Sequence, residues 1–313
     1  MTIVTVTMNP ALDIATTTER VVPVHKLRCT PPRYDAGGGG INVARAVHAL
    51  GGEAIAIFPA GGSAGDTIRL LLGREGVRFH AIAIAGFTRE SLAVYERESG
   101  RQYRFILPGP EIAEKDQERC LDAVTLLAAN ASFIVASGSL PPGVPDDFYA
   151  RLGERARRLG KRFVLDTSGA ALKAAGRGVY LVKPSLRELE ELSGYKIRGK
   201  AEEEQAARAI IAQGRSEIVL ISLGAEGALL ATAAGVARFP AIAVAAKGTI
   251  GAGDSMLAGV VLGLSRGMPL PEAVRYGVAA GTAALFGAGT ALCRREDVER
   301  LYAQTAGQAA TAR

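Results

Sequence analysis

The chain has 313 residues, 48% hydrophobic and 22% charged, enough apolar material to bury a core without disulfides or structural metal. Cys29, Cys120 and Cys293, like His25, His48 and His80, are scattered, which excludes a disulfide framework or a zinc site of ordinary spacing. The net charge of +6 suits anionic ligands, but basic residues are interleaved with acids and aromatics make up only 5%. Small phosphorylated molecules explain that bias more economically than nucleic acid.

No basic segment precedes Asn9-Pro10, and no apolar run of about 18 residues occurs, so neither a secretory signal nor a membrane span is expected. Reduced thiols then point to a cytoplasmic protein.

In chain order, β-rich runs fall at Ile3–Met8, Ile55–Phe58, Phe133–Ala136, Phe163–Asp166, Tyr180–Val182 and Ile218–Ser222. Helical signals lie between and after them, at Asn42–Leu50, Asp147–Leu159, Ala201–Gln213 and the periodic Met256, Leu257, Val260, Val261 and Leu264. Such alternation predicts an α/β fold, a mainly parallel sheet flanked by helices. Two stretches depart from it. Residues 15–34 hold no strong helix, and Lys26, Arg28 and Thr30 are expected to share one face of a strand. Ser91–Leu107 alternates and is split by Ser99-Gly100, a hairpin signal. A small antiparallel β-sheet acting as a lid, from segments at about 15–34 and 88–108, accounts for both within one domain spanning 1–313. The Ala/Thr-rich tail from about Gly307 is expected to fray.

The strongest chemical signal is Thr249-Ile250-Gly251-Ala252-Gly253-Asp254-Ser255, which runs into the last of those helices. Small residues let a backbone approach a ligand, and N–H groups at a helix start bind phosphate oxygens. A carboxylate there would repel phosphate, but it can take a proton from an attacking hydroxyl. Plain helix capping by Gly253 and Asp254 fits the heptapeptide equally well. Gly37-Gly38-Gly39-Gly40-Ile41-Asn42 opens another helix, where backbone can close on a small polyol and Asn42 can bond its hydroxyls; a linker is the alternative.

Asp13 is placed just after the first strand, where a carboxylate can accept from two sugar hydroxyls or form a turn. Lys26, Arg28, Arg89 and Arg104 fall on the lid or its edges, as phosphate cations or as a solvated face. Ser139 lies in a small polar loop, Ser137–Gly143, that ends a strand. Lys183-Pro184-Ser185-Leu186-Arg187-Glu188 follows the fifth strand, where Glu188 can hold waters around Mg2+. Ser222, Gly224 and Gly227 form a loop weakly suggestive of a nucleotide edge. For these three segments a turn with no ligand remains an equal reading. P-loop, protein-kinase and dinucleotide signatures are absent.

Taken together and in order, from Met8-Asn9-Pro10-Ala11-Leu12-Asp13 to Gly289-Thr290-Ala291-Leu292-Cys293, these segments resemble the ribokinase/PfkB family of carbohydrate kinases. The resemblance implies a Rossmann-like, ribokinase-like domain whose lid forms a homodimer interface. It implies Asp254 as base, Gly251, Ala252 and Gly253 as the cradle of the transferring phosphoryl group, and Asp13, Gly38, Gly39, Asn42 and Ser139 around the sugar. ATP would lie near Lys183, Ser185, Ser222, Gly224, Gly227 and Thr249, with Mg2+ at Glu188 and a monovalent cation as an optional activator. Lys26-Leu27-Arg28-Cys29-Thr30 and the uninterrupted Gly37–Gly40 are similar to the minor, PfkB-type 6-phosphofructokinase subgroup, whereas subgroups acting on fructose 1-phosphate or tagatose 6-phosphate carry Lys where Gly39 stands. The substrate implied is fructose 6-phosphate, its phosphate on Lys26, Arg28, Arg89 and Arg104. A kinase for another sugar phosphate or a nucleoside, or a non-catalytic sensor, stays open. Ser185 stands where the family has Asn.

Overall fold

The computed structural model describes residues 2–245, 248, 250–287, 291–305 and 311–312. β1 (Thr2–Val6) stops short of the Asn9-Pro10 break, two residues earlier than expected, and β2 (Ala11–Thr18) and β3 (Arg33–Gly37) follow it. The chain then alternates through α1 (Gly39–Ala49), β4 (Ala54–Ala60), α2 (Gly62–Arg74) and β5 (Arg78–Ala83). A hairpin of β6 (Arg89–Glu96) and β7 (Gln102–Ile106) interrupts this rhythm. It resumes with α3 (Glu114–Leu127), β8 (Ala131–Ser137), α4 (Phe148–Arg158), β9 (Arg162–Asp166), α5 (Gly169–Lys173) and β10 (Val179–Val182). α6 (Leu186–Ser193), α7 (Lys200–Ala212) and β11 (Ser216–Ser222) follow, then a hairpin of β12 (Ala228–Thr232) and β13 (Gly235–Phe239). α8 (Ala252–Ser265), α9 (Leu270–Ala284), α10 (Arg295–Gln304) and β14 (Thr311–Ala312) complete the described elements.

The large sheet runs β14-β13-β12-β11-β10-β9-β8-β1-β4-β5. It is parallel from β5 to β11 and antiparallel beyond. Parallel strands buried on both faces read as apolar runs, which is why β4, Ala-Ile-Ala-Ile-Phe-Pro-Ala, is buried at all seven positions. Helices cover both faces. Ile41, Val47, Ile68, Leu257, Val261 and Ala280, from α1, α2, α8 and α9, pack on one. Leu121, Val124, Tyr149, Leu152, Leu189 and Ala207, from α3, α4, α6 and α7, pack on the other. Cys29, Cys120 and Cys293 are free thiols. Among the described residues no helix is long and apolar enough to cross a membrane.

β3, β2, β6 and β7 make the second sheet. Its outer pairs are antiparallel, but its central pair β2–β6 is parallel, so the expected all-antiparallel lid is a mixed sheet. Ser99-Gly100 does turn the β6–β7 hairpin, with Gly100 at φ 68°. Lys26, Arg28 and Thr30 are not on a strand: they lie in an exposed irregular segment between Pro23 and Pro31-Pro32. Proline donates no N–H to a ladder, and three of them confine this segment to side bonding. Thr18 Oγ1 donates to Arg28 O and Thr30 N donates to Thr17 O, at 3.3 and 2.9 Å. The tail expectation falls partly on residues 306–310, outside the described set. Thr311–Ala312, expected to fray, instead pair with the open edge of β13.

Candidate active site

β1 sits between β4 and β8, so the chain winds one way through β4 and β5 and the other way from β8 to β11. Ligands of open α/β sheets bind outside the strand C-termini at such a reversal. Here the N-terminus of α1 is pressed against the ends of β1 and β8. Thr7 Oγ1 accepts the Ile41 N–H at 2.8 Å, and α1 therefore begins inside the glycine run rather than at Asn42. A Cβ built at Gly39 would stand 2.2 Å from Ser137 Oγ and 2.8 Å from Gly138 N. Any side chain at Gly39 must displace the end of β8.

This close approach brings Asn42, on α1, to Asp254, in the first turn of α8; Asn42 Nδ2 donates to Asp254 Oδ2 at 2.9 Å. Burial pushes the Asp254 carboxyl above the usual range, against the opposing pull of Asn42, Lys183 and Ser137, with Asp13 adding to the rise. Gly251 precedes α8 at φ 77°, a left-handed conformation that turns the chain into the helix. The N–H groups of the first turn have no partner within a helix and are available to an anion.

Lys183, after β10, is 5% exposed, and its Nζ lies 3.1 Å from the Asp166 carboxylate at the end of β9. Burial alone would lower the Lys183 ammonium, but Asp166, Asp254 and Glu188 outweigh it and hold it protonated. Burial lifts Asp166 to about 6 despite Lys183, with Asp254 and Glu188 adding to the rise. A Cβ at Gly253 would stand 3.5 Å from Lys183 Nζ, so the ammonium faces the same turn as Asp254.

Beside this turn opens a cleft of about 610 Å3 lined by Ser222, Gly224, Gly227, Ile242, Gly253 and Met256. Its size and apolar walls suit a nucleoside. Gly253 is shared between the cleft and the anion turn, as transfer from a nucleotide requires. Thr249, expected beside it, lies outside the described residues, as do Gly289 and Thr290.

The second sheet supplies the other wall. Asp13 lies within β2, not in a loop after β1 as expected, because the chain re-enters extended structure directly after Pro10. Burial raises its carboxyl to about 6; Arg89 and Arg104 pull it down and Asp35 pushes it up. Arg89 is fixed by donating to Leu107 O and Asn9 O at 3.3 and 3.1 Å. Asn9 Nδ2 in turn donates to Ser139 Oγ at 3.1 Å. Arg104 is exposed on β7 yet acts on Asp13, whereas Lys26 and Arg28 are exposed on the irregular segment.

Ser185 and Glu188 form a capping box at the start of α6. Ser185 Oγ accepts the Glu188 N–H at 3.3 Å, and Glu188 Oε2 accepts the Ser185 N–H at 2.7 Å. One Glu188 oxygen is thereby committed. No cluster of three metal-ligating side chains occurs among the described residues. Asp166 and Glu188 together suit Mg2+, which keeps waters and binds through one or two carboxylates and its phosphates rather than in a protein cage.

Asn9 and Asp166 are site neighbours that pattern reading missed, whereas Ser137, in the polar loop already singled out, bonds to Asp254. Asp166 carried a signal, an acid closing an apolar strand at the sheet's C-terminal edge.

A carboxylate of raised pKa, helix-start amides, a buried ammonium and a nucleoside-sized cleft at one switch point are the parts of a phosphotransferase. The family model for pfkB family carbohydrate kinases matches residues 6–297. The chain belongs to that family. It is 52% identical over 300 residues to the ATP-dependent 6-phosphofructokinase isozyme 2 of Mycobacterium tuberculosis, covering 96% of this chain and 88% of that one. It is 41% identical over 303 residues to the protein of the same name from Escherichia coli, covering 96% and 98%. The crystal structure of the E. coli phosphofructokinase-2 with substrates and products superposes with a TM-score of 0.93 at 39% identity, over 98% of this chain and all of that one.

Proposed function

We propose that this chain transfers the γ-phosphoryl group of ATP to the C1 hydroxyl of fructose 6-phosphate, giving fructose 1,6-bisphosphate. The observation that carries it is Asp254, bonded by Asn42 and placed in the same helix turn as Gly251–Gly253. The names of the M. tuberculosis and E. coli relatives support this substrate over other sugar phosphates.

On this reading Asp13 and Asn42 orient the sugar, while Arg89, Arg104, Lys26 and Arg28 hold its phosphate. Asp254 takes the C1 proton as the oxygen attacks phosphorus. The amides of Gly251–Gly253 and the Lys183 ammonium receive the charge spread over the transferring group. Asp166 and Glu188 would be the residues to hold Mg2+, which would supply charge neutralisation of the nucleotide's phosphates when bound. The four-stranded sheet covers the acceptor and excludes water that would otherwise hydrolyse ATP. Exposed Tyr34, Tyr95, Phe105 and Ile106 on that sheet support its use as a homodimer interface in a cytoplasmic enzyme.

An ADP-release assay with MgATP and matched low concentrations of fructose 6-phosphate, fructose 1-phosphate and tagatose 6-phosphate tests the proposal. Clear preference for fructose 6-phosphate is expected. Preference for another of the three keeps the mechanism and overturns the substrate; no turnover with any removes the enzyme reading.

Ser185 gives a second expectation. Its hydroxyl is spent on the helix cap and it lacks the amide of the family's usual Asn, so it would hold the metal less firmly. Ser185→Asn, also a good N-cap, should lower the Mg2+ concentration for half-maximal rate without loss of stability. An unchanged requirement would remove this idea.

A further inference from the structure

Arg45 lies one helical turn after Asn42 on α1, yet its side chain points away from the cleft and is 9% exposed. Its Nε and Nη2 make two 2.7 Å bonds to the Glu75 carboxylate that follows α2. Its Nη1 donates to Ala36 O at 2.8 Å, and Nη2 stands 3.5 Å from Asp35 Oδ1, both residues on β3. A buried guanidinium with a fork on one carboxylate, a bond to a strand carbonyl and a contact with a second carboxylate joins α1, α2 and β3 at one point. Nothing in the transfer chemistry requires it.

β3 is the strand paired with β2, and Asp35 is directly opposite Asp13. Two carboxylates on one face of a paired strand repel. The charged groups acting on Asp13 are Arg89 from β6, Arg104 from β7, Asp35 from β3 and Arg45 from α1. Asp254, on α8, feels Asp13 in turn. Asp35 is the carboxylate paired directly opposite Asp13, and Arg45 and Arg33 both reach it, Arg33 at 2.8 Å.

We propose that Arg45 is a positioning residue for sugar binding: it fixes β3 to the body and offsets the Asp35 charge opposite Asp13. The acceptor then meets an ionised Asp13 at neutral pH, able to accept from two hydroxyls. This rests on the reading of Asp13 as a sugar contact.

The test is the pH profile of kcat/KM for fructose 6-phosphate in the wild type, Arg45→Gln, Asp35→Asn and the double variant. Wild-type turnover of fructose 6-phosphate is checked first, so failure of the substrate assignment is seen separately. Losing this cation should raise the acidic limb of Arg45→Gln by about half a pH unit, less than the roughly 1–3 units of a charge in direct contact, because Arg45 is the smallest of the charges acting on Asp13. From a limb near 6, that is about a twofold deficit at pH 6 that vanishes by pH 8. The substrate phosphate also titrates near 6, but it is common to all proteins and cancels in the variant-to-wild-type ratio. KM for MgATP should stay unchanged. Asp35→Asn alone should move the limb down, and in the Arg45→Gln background it should restore it. A deficit constant across pH, or one shared equally by ATP and sugar, would mark a merely structural Arg45 and overturn the proposal. Should Arg45→Gln not fold, Asp35→Asn reads the same coupling, and an unmoved limb overturns it as well.

Discussion

Replacing Asp254 by asparagine is expected to lower turnover by about 10²–10⁴ while the KM for sugar phosphate stays nearly constant, because a general base contributes in that range and acts only in the transition state. The amide oxygen can still accept the Asn42 N–H, so the local geometry is kept. Stability should move the other way. Burial holds the folded Asp254 pKa above its unfolded value, so the folded state binds the proton more tightly. Stability therefore falls as pH rises from the ordinary carboxylate range through the raised value, and the ionised group is a net cost at neutral pH. The variant should melt at the same temperature as the wild type or higher. Near-normal turnover would contradict the assignment of the base, and a lower melting temperature would contradict the account of its burial.

Lys183→Met carries the second large effect, on stability and activity together. Lys183 and Asp166 are 5% and 14% exposed and 3.1 Å apart. Removing one partner of a buried pair leaves the other charge uncompensated and costs about 3–5 kcal/mol. Asp166, already lifted to about 6, should rise further and escape the penalty by protonation. The melting deficit should then be smaller at pH 5 than at pH 8. Turnover should fall on the order of 10²–10³, the usual loss for one preorganised group facing a developing charge. Adding Asp166→Asn should recover most of the stability and none of the turnover. A pH-independent deficit would contradict the account of the buried pair, and recovered turnover in the double variant would show that the ammonium holds the fold without serving the phosphoryl group.

Glycine runs and a carboxylate at a helix start were legible because their chemistry is local: a backbone that must approach something closely can be written only with small residues. Gly37–Gly40 and Gly251–Asp254 were found in this way, and the structure adds that Gly39 is kept small by Ser137. The parallel strands were legible because burial on both faces leaves unbroken apolar runs. Lys26–Thr30 misled, since alternating polar residues suggest a strand until Pro23, Pro31 and Pro32 are counted as missing donors. Asp13 was displaced from loop to strand for the converse reason, a proline that ends one element and admits the next. Asn9 and Arg45 were beyond reach from their immediate sequence, and Asp166 offered only its place at the end of an apolar strand. Each is an ordinary residue whose partners, Ser139, Glu75 and Lys183, are supplied by another element of the fold.

The Asn42–Asp254 hydrogen bond joins residues 212 positions apart. During synthesis, the first half of the chain can assemble β1, α1, β4 and β5 around local contacts. The floor of the cleft nevertheless stays unfinished until α8 has left the ribosome and packed on α1. On the proposed mechanism, a nascent or C-terminally clipped chain lacking α8 would have no phosphoryl cradle and no base, however well its N-terminal half has folded. Such fragments would therefore be unable to spend ATP before the acceptor site is complete.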